Sequence, residues 1–307
     1  MSDQNRTASA EHRIVAIGEC MVELSSAPGG LLRKGFAGDT FNTAWYLGRA
    51  LPADWRMSYF TAVGDDPTSD EMLRFMDAAG IETQFVRRIP GRMPGLYLIT
   101  LDNGERSFSY WRDTSAAKTL ADDEQALDAV LAAGDAFYFS GITLAILAED
   151  ARQRLVSRLD EVRRSGKMVA FDPNLRPRLW PDTATMCRAV EIAAAASSLC
   201  LPSFSDEAVA FGDASPDATA DRYRALGVAE VVVKDGAEPA CIVTDDGRQS
   251  VPAQKVADLV DTTAAGDSFN AAYIAARLAG KTPAEAAAAG HTLAGKVVGH
   301  YGALVEL

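Results

Sequence analysis

Residues 258–270, DLVDTTAAGDSFN, concentrate the residue types that do chemistry on an anion. Asp261 and two threonines precede Ala264, Ala265 and Gly266, and Asp267 then opens an amphipathic stretch that runs to about residue 278. Side chains this small let a ligand approach the backbone, and the unpaired N–H groups of a helix start, with the helix dipole behind them, favour negative charge. A carboxylate at the same point is placed to take a proton from a hydroxyl that faces a bound phosphate. Phosphoryl transfer requires that combination: donor amides on the developing charge and a base on the nucleophile. The same residues also read as an ordinary helix start with Asp267 as its cap or first-turn acid. The segment alone leaves both readings open.

The elements around it predict an α/β domain. Apolar runs of strand length recur at 14–17, 59–63, 136–139, 168–171, 198–201 and 231–233, separated by segments with helical spacing. Such alternation implies crossover connections, hence a three-layer α/β/α domain with a mostly parallel central sheet that binds ligands beyond the carboxyl ends of its strands. Two segments alternate with period two instead: 19–24 with 31–36, and 95–101 with 107–111 joined by Asp102-Asn103-Gly104. The Asn-Gly pair is a hairpin signal. These segments predict a small inserted β-sheet, a discontinuous lid over about 19–37 and 94–112, within one domain spanning 13–307. Its apolar faces need covering, by ligand, by the main domain or by a second subunit, so a homo-oligomer through the lid sheet is expected.

Composition excludes several classes. With 307 residues the chain suits one large core. The net charge of -12, with no Lys/Arg run, argues against nucleic-acid or anionic-membrane partners. Cys20, Cys187, Cys200 and Cys241 form no CxxC pair, so neither zinc nor a disulfide framework is expected. The polar residues 1–12 read as a disordered start, and no apolar run has membrane-span length, so a cytoplasmic protein is expected. Residues 275–282, AARLAGKT, match a loose Walker A pattern, but they follow a helix rather than a strand. Gly280 reads as the helix stop, and Thr282-Pro283-Ala284-Glu285 as the capping box of the next helix. A dehydrogenase is disfavoured because Ile17-Gly18-Glu19-Cys20 stands where GxGxxG would follow the first strand.

The run Asp261-Thr-Thr-Ala-Ala-Gly-Asp267 resembles the C-terminal signature of the ribokinase-like (PfkB) carbohydrate kinases. Ala37-Gly-Asp-Thr-Phe-Asn42 is similar to the family's glycine-rich sugar-binding turn, and Val231-Val-Val-Lys-Asp-Gly236 to the strand and turn that pass the nucleotide phosphates. The matches follow family order over roughly 14–302. The resemblance implies ATP-dependent phosphorylation with Mg²⁺, Asp267 as catalytic base, and an anion hole from Ala264, Ala265 and Gly266. It further implies ATP contacts at Asn174, Ser203, Lys234, Gly236, Ala264 and Gly266.

Within the family the similarity is greatest to kinases of 2-keto-3-deoxygluconate, a sugar acid. It is carried by Gly18–Leu24 (GECMVEL), Pro94–Tyr97 (PGLY), Tyr110-Trp-Arg112, Ser140–Leu147 (SGITLAIL) and Phe171–Trp180 (FDPNLRPRLW). It implies substrate contacts at Gly38, Asp39, Asn42, Tyr97, Tyr110, Arg112 and Arg176, the two arginines converging on the carboxylate, and transfer to the 6-hydroxyl. A neutral ketose such as fructose is the alternative substrate, and a non-catalytic sugar-acid sensor the alternative class. Two departures stand out. Ser203-Phe-Ser-Asp206 replaces the family's Asn-x-x-Glu, leaving Asp206 as the Mg²⁺ candidate, and Ala264-Ala265 replaces the usual Gly-Ala. The resemblance also suggests a monovalent cation such as K⁺ beside the anion hole, at Asp261, Thr263 and Gly302.

Overall fold

The apolar runs become strands buried on both faces. The computed structural model describes residues 11–102, 105–254, 256 and 258–307. Strands in chain order are β1 His12–Ile17, β2 Met21–Ala27, β3 Leu31–Ala37, β4 Trp55–Phe60, β5 Ala62–Val63, β6 Ile81–Glu82, β7 Arg87–Arg88 and β8 Leu96–Asp102. They continue with β9 Glu105–Trp111, β10 Ala136–Ser140, β11 Met168–Asp172, β12 Leu199–Cys200, β13 Glu230–Val233, β14 Ala240–Thr244 and β15 Gly247–Val251. Nine form the main sheet in the order β15-β14-β13-β12-β11-β10-β1-β4-β6, parallel from β13 through β6 and antiparallel at the β13-β14-β15 edge.

Alternate residues of one strand enter two cores. Val15 and Ile17 pack with Phe137, Phe139 and Phe171 on one face, while Ile14 and Ala16 pack with Tyr138, Ala170 and Val232 on the other. Burial on both faces is why these strands read as continuous apolar runs. The second core also takes Phe41 from the helix Asp39–Ala50 and Phe269 and Tyr273 from the helix Ala265–Leu278, which fixes both helices against the sheet. Burying a side chain such as Phe41 contributes roughly 1.5–3 kcal/mol.

The predicted inserted sheet is present as β3-β2-β8-β9. β8 and β9 pair antiparallel from Leu96↔Trp111 to Asp102↔Glu105. The turn expected at Asn103-Gly104 lies outside the described residues. Met21, Ala37 and Tyr97 of this sheet pack on Ala303, with Ala264 beside them, so the sheet abuts the start of the helix that carries Asp267.

Three expectations need correction. The run 59–63 is two strands, because the chain leaves the main sheet at Thr61 and β5 pairs with β7 instead. The β14-β15 edge hairpin went unread because Gly247, Arg248, Gln249 and Ser250 are exposed and polar and present no apolar period. His12, placed in the disordered start, is the first residue of β1 and pairs with Trp55; residues 1–10 lie outside the described residues. The Walker-like segment is a helix end and a new helix start, with Gly280 at φ 75° and a Thr282–Glu285 capping box.

Candidate active site

Asp267 is the third residue of the helix Ala265–Leu278, whose N-cap is Ala264 in the left-handed conformation, φ 59°. The Ala265 amide turns back to the Thr262 carbonyl at 3.2 Å, so the amides of Gly266 and Asp267 remain at the open end of the helix. Ala264 and Ala265 therefore shape the turn from which those amides project. Asn42 Nδ2 donates to Asp267 Oδ2 at 2.8 Å, and Asn42 Oδ1 accepts from the Gly38 amide at 3.3 Å. One side chain thus couples the glycine-rich turn to the carboxylate. Burial pushes the Asp267 carboxyl up to about 7; the charges of Asp39 and Asp172 add to this, and the Asn42 bond and Lys234 oppose it. A carboxylate that titrates there is matched to proton abstraction near neutrality.

Lys234, at the end of β13, is buried and donates to Asp172 Oδ2 at 3.1 Å and to Asn270 Oδ1 at 3.0 Å. Asn270 Nδ2 closes the triangle on Asp172 at 2.6 Å. A Cβ added to Gly266 would stand 3.6 Å from Lys234 Nζ, which places the ammonium beside the helix opening. Asp172 and Asn270 carry no role in the sequence reading, although both lie inside motifs quoted there. Asn174, at φ 35°, donates through Nδ2 to Asp39 Oδ2 at 2.7 Å. The expected nucleotide contact Asn174 is therefore joined to the expected sugar contact Asp39 at the carboxyl ends of the strands.

The small sheet brings Tyr97 and Tyr110 into cross-strand register, their rings 5.9 Å apart. Tyr97 is buried and hydrogen-bonds Glu23, whereas Tyr110 is exposed. Arg112 and Arg176 are held by different carboxylates. Arg112 is ion-paired with Glu19, and the half-exposed Arg176 lies 3.5 Å from Asp206 and donates to the Leu175 carbonyl. Each guanidinium faces a carboxylate of the chain itself, a partner that local sequence does not disclose. Burial raises the Asp206 carboxyl above its ordinary value, and the Arg176 charge opposes this.

Ser203 caps the helix Phe204–Phe211 and bridges to Lys234, so the residues replacing Asn-x-x-Glu do border the Lys234 strand. Gly236 takes φ 58° just beyond β13. Asp261 accepts from the Thr263 amide and hydroxyl at 3.0 and 2.7 Å and from the Gly302 amide at 2.8 Å, tying the C-terminal segment to the signature. Among the described residues no group of three or more His, Cys, Asp or Glu side chains is arranged to hold a metal ion, and no helix is long and apolar enough to cross a membrane.

A three-layer α/β/α domain with an inserted small sheet, and a carboxylate at the opening of a small-residue helix facing a glycine-rich turn, define a sugar kinase. The model of the pfkB family of carbohydrate kinases matches residues 11–306, and the chain belongs to that family. It is 40% identical over 302 residues to the 2-dehydro-3-deoxygluconokinase of Dickeya dadantii, covering 96% of this chain and 97% of that one. It is likewise 40% identical over 301 residues to the 2-dehydro-3-deoxygluconokinase of Escherichia coli K12, with 95% and 97% covered. Among solved structures, a PfkB protein from Polaromonas sp. JS666 superposes with a TM-score of 0.83 at 28% identity, covering 94% of this chain and 96% of that one.

Proposed function

We propose that the protein transfers the γ-phosphoryl group of ATP to the 6-hydroxyl of 2-keto-3-deoxygluconate. The observation that carries the reading is the identity of 40% across nearly the whole chain to 2-dehydro-3-deoxygluconokinases, together with a carboxylate near neutrality at the helix opening. Asp267 takes the hydroxyl proton as oxygen attacks phosphorus, Asn42 holds the carboxylate's orientation, and the Gly266 and Asp267 amides with Lys234 face the charge on the transferred group. Gly38, Asp39, Tyr97 and Tyr110 line the sugar side, and Arg112 and Arg176 meet the acid. Asn174, Ser203 and Gly236 line the nucleotide side.

Mg²⁺ fits as an ion brought by the nucleotide: such ions keep most ligands from phosphate and water and take one or two carboxylates. Asp206, three residues beyond the Ser203 that bridges to Lys234, would supply such a carboxylate, and the ion would offset negative charge on the phosphates. The Asp261–Thr263–Gly302 knot is the candidate location for K⁺. The small sheet closes over the sugar and pairs with its counterpart in a second copy, which covers the exposed Leu31, Leu32, Phe108, Tyr110 and Trp111. ADP release from ATP that depends on added 2-keto-3-deoxygluconate, abolished by chelator and restored by Mg²⁺, is expected. Equal kcat/KM for fructose would overturn the sugar-acid assignment in favour of a neutral ketose, and the absence of ADP release with either sugar would leave a sensor.

A further inference from the structure

Glu19 has no role in the chemistry above, yet its side chain is 1% exposed and pairs with Arg112, itself 10% exposed. The pair is made through Glu19 Oε2 and Arg112 Nη2, while Glu19 Oε1 and Arg112 Nε are buried without a hydrogen-bond partner. Such a pair is one bond short of the two-bonded fork that guanidinium and carboxylate favour. Its place in the chain matters. Glu19 lies between the end of β1 and the start of β2, where the chain enters the small sheet, and Arg112 follows the last residue of β9, where it leaves. Gly95 packs against both: a Cβ there would come within 2.7 Å of Glu19 Oε1 and 3.1 Å of Arg112 Cβ.

The backbone of Glu19 faces the other end of the site. A Cβ on Gly38 would collide with the Glu19 carbonyl oxygen, so the glycine-rich turn is seated on Glu19. From Gly38 the chain of bonds continues through Asn42 to Asp267. One residue therefore touches, by its side chain, the guanidinium assigned to the carboxylate end of the substrate and, by its backbone, the turn that leads to the base at the hydroxyl end.

We propose that Glu19 is a positioning residue that sets the distance between Arg112 and Asp267, and so selects sugar acids by the separation of carboxylate and reacting hydroxyl. The proposal rests on the sugar-acid reading given above. A misplacement of about 1 Å in such a site can cost about 10²-fold in rate. Glu19 is the carboxylate that Arg112 pairs with, and Gly95 packs against both.

Glu19→Asp is the decisive variant: it keeps the charge of the pair but withdraws the anchor by one methylene. KM for the sugar acid should rise roughly 10-fold or more, with kcat and the KM for ATP within about 3-fold. Glu19→Gln, which keeps length and an acceptor, should stay within about 3-fold of the parent in acid KM. In a Glu19→Asp background, Arg112→Ala should add little to the acid KM, because the guanidinium is already misplaced. A parent-like Glu19→Asp, or a variant that loses acid, ketose and ATP turnover alike, would overturn the proposal. The parent separates this from the substrate reading: if the parent prefers fructose to the acid, the substrate reading fails. If it prefers the acid and Glu19→Asp does not alter that preference, only the role of Glu19 fails.

Discussion

Asn42 Nδ2 donates to Asp267 Oδ2 at 2.8 Å, joining residues 225 positions apart, and it is the hydrogen bond that opposes the upward push of burial and Asp39 on the Asp267 carboxyl. The bond has two roles. It fixes the direction of the base, and it favours the ionised form that accepts a proton.

Asp267→Asn should therefore fold, keep the Asn42 contact through its amide oxygen, and lose roughly 10² or more in kcat, the usual scale for removal of an acid-base group. Steady-state ADP release checks this, with ATP affinity measured alongside. Turnover within a few-fold of the parent would remove Asp267 from the mechanism.

The pH profile follows from the same carboxyl. With Asp267 titrating at about 7, kcat/KM should rise with pH and level off above neutrality, since only the ionised form takes the proton. Asn42→Ala withdraws the stabilising donor, so the acid limb should move to higher pH, by roughly one unit for a hydrogen bond of about 1.4 kcal/mol. A limb that stays in place would assign it to another group.

Stability moves in the opposite sense. The Asp267 carboxyl titrates at about 7 when folded against an ordinary 3.8, so between those values the folded state binds more protons than the unfolded one. The stability contributed by the protonated form is complete below about pH 4 and lost as pH rises through 7. Asp267→Asn escapes that loss, so at pH 8 it should be more stable than the parent and melt higher, the gain having a ceiling of about 4 kcal/mol from 1.36 kcal/mol per pKa unit. Near pH 4 the two melting temperatures should agree, and a constant offset across pH would refute the linkage.

The sequence discloses local patterns and hides side-chain partnerships. The small sheet was legible because 19–24, 31–36, 95–101 and 107–111 alternate with period two, and the helix opening because Ala264, Ala265 and Gly266 are unusually small. Arg112 is recognisable as a candidate, but its pairing with Glu19 spans 93 residues and depends on how two strand crossings meet. The Arg176–Asp206 pair joins residues that the motifs assign to different ligands. Thr61, where the chain changes sheets, is the one polar residue of the run 59–63, and a single threonine inside a strand-like run does not mark a strand end.

Ala264 is a departure from the usual Gly-Ala whose cost the structure makes visible. At φ 59° an alanine Cβ crowds the following carbonyl, a strain of roughly 1–2 kcal/mol that glycine avoids. Ala264→Gly gives back part of this through the greater freedom of glycine when unfolded, so a net gain of some tenths to about 1 kcal/mol is expected. Thermal unfolding measures it, and kcat should be preserved. A drop in melting temperature would mean that the packing of Ala264 against the Met21–Ala37–Tyr97–Ala303 cluster outweighs its strain.

Lys234 separates structural from functional charge. Its ammonium is the cationic partner of Asp172, with side chains 10% and 5% exposed, and removing one member of a buried pair strands the other at a cost of about 3–5 kcal/mol. Lys234→Met should therefore lower the urea midpoint sharply. Adding Asp172→Asn removes the stranded charge while keeping an acceptor for Asn270, so the double variant should recover much of the stability. It should not recover nucleotide binding, because nothing then replaces the ammonium beside Gly266, and the KM for ATP should stay raised by roughly 10-fold or more, as for a lost charged hydrogen bond. If stability and ATP affinity return together, Lys234 serves the fold alone and the nucleotide phosphates are held elsewhere.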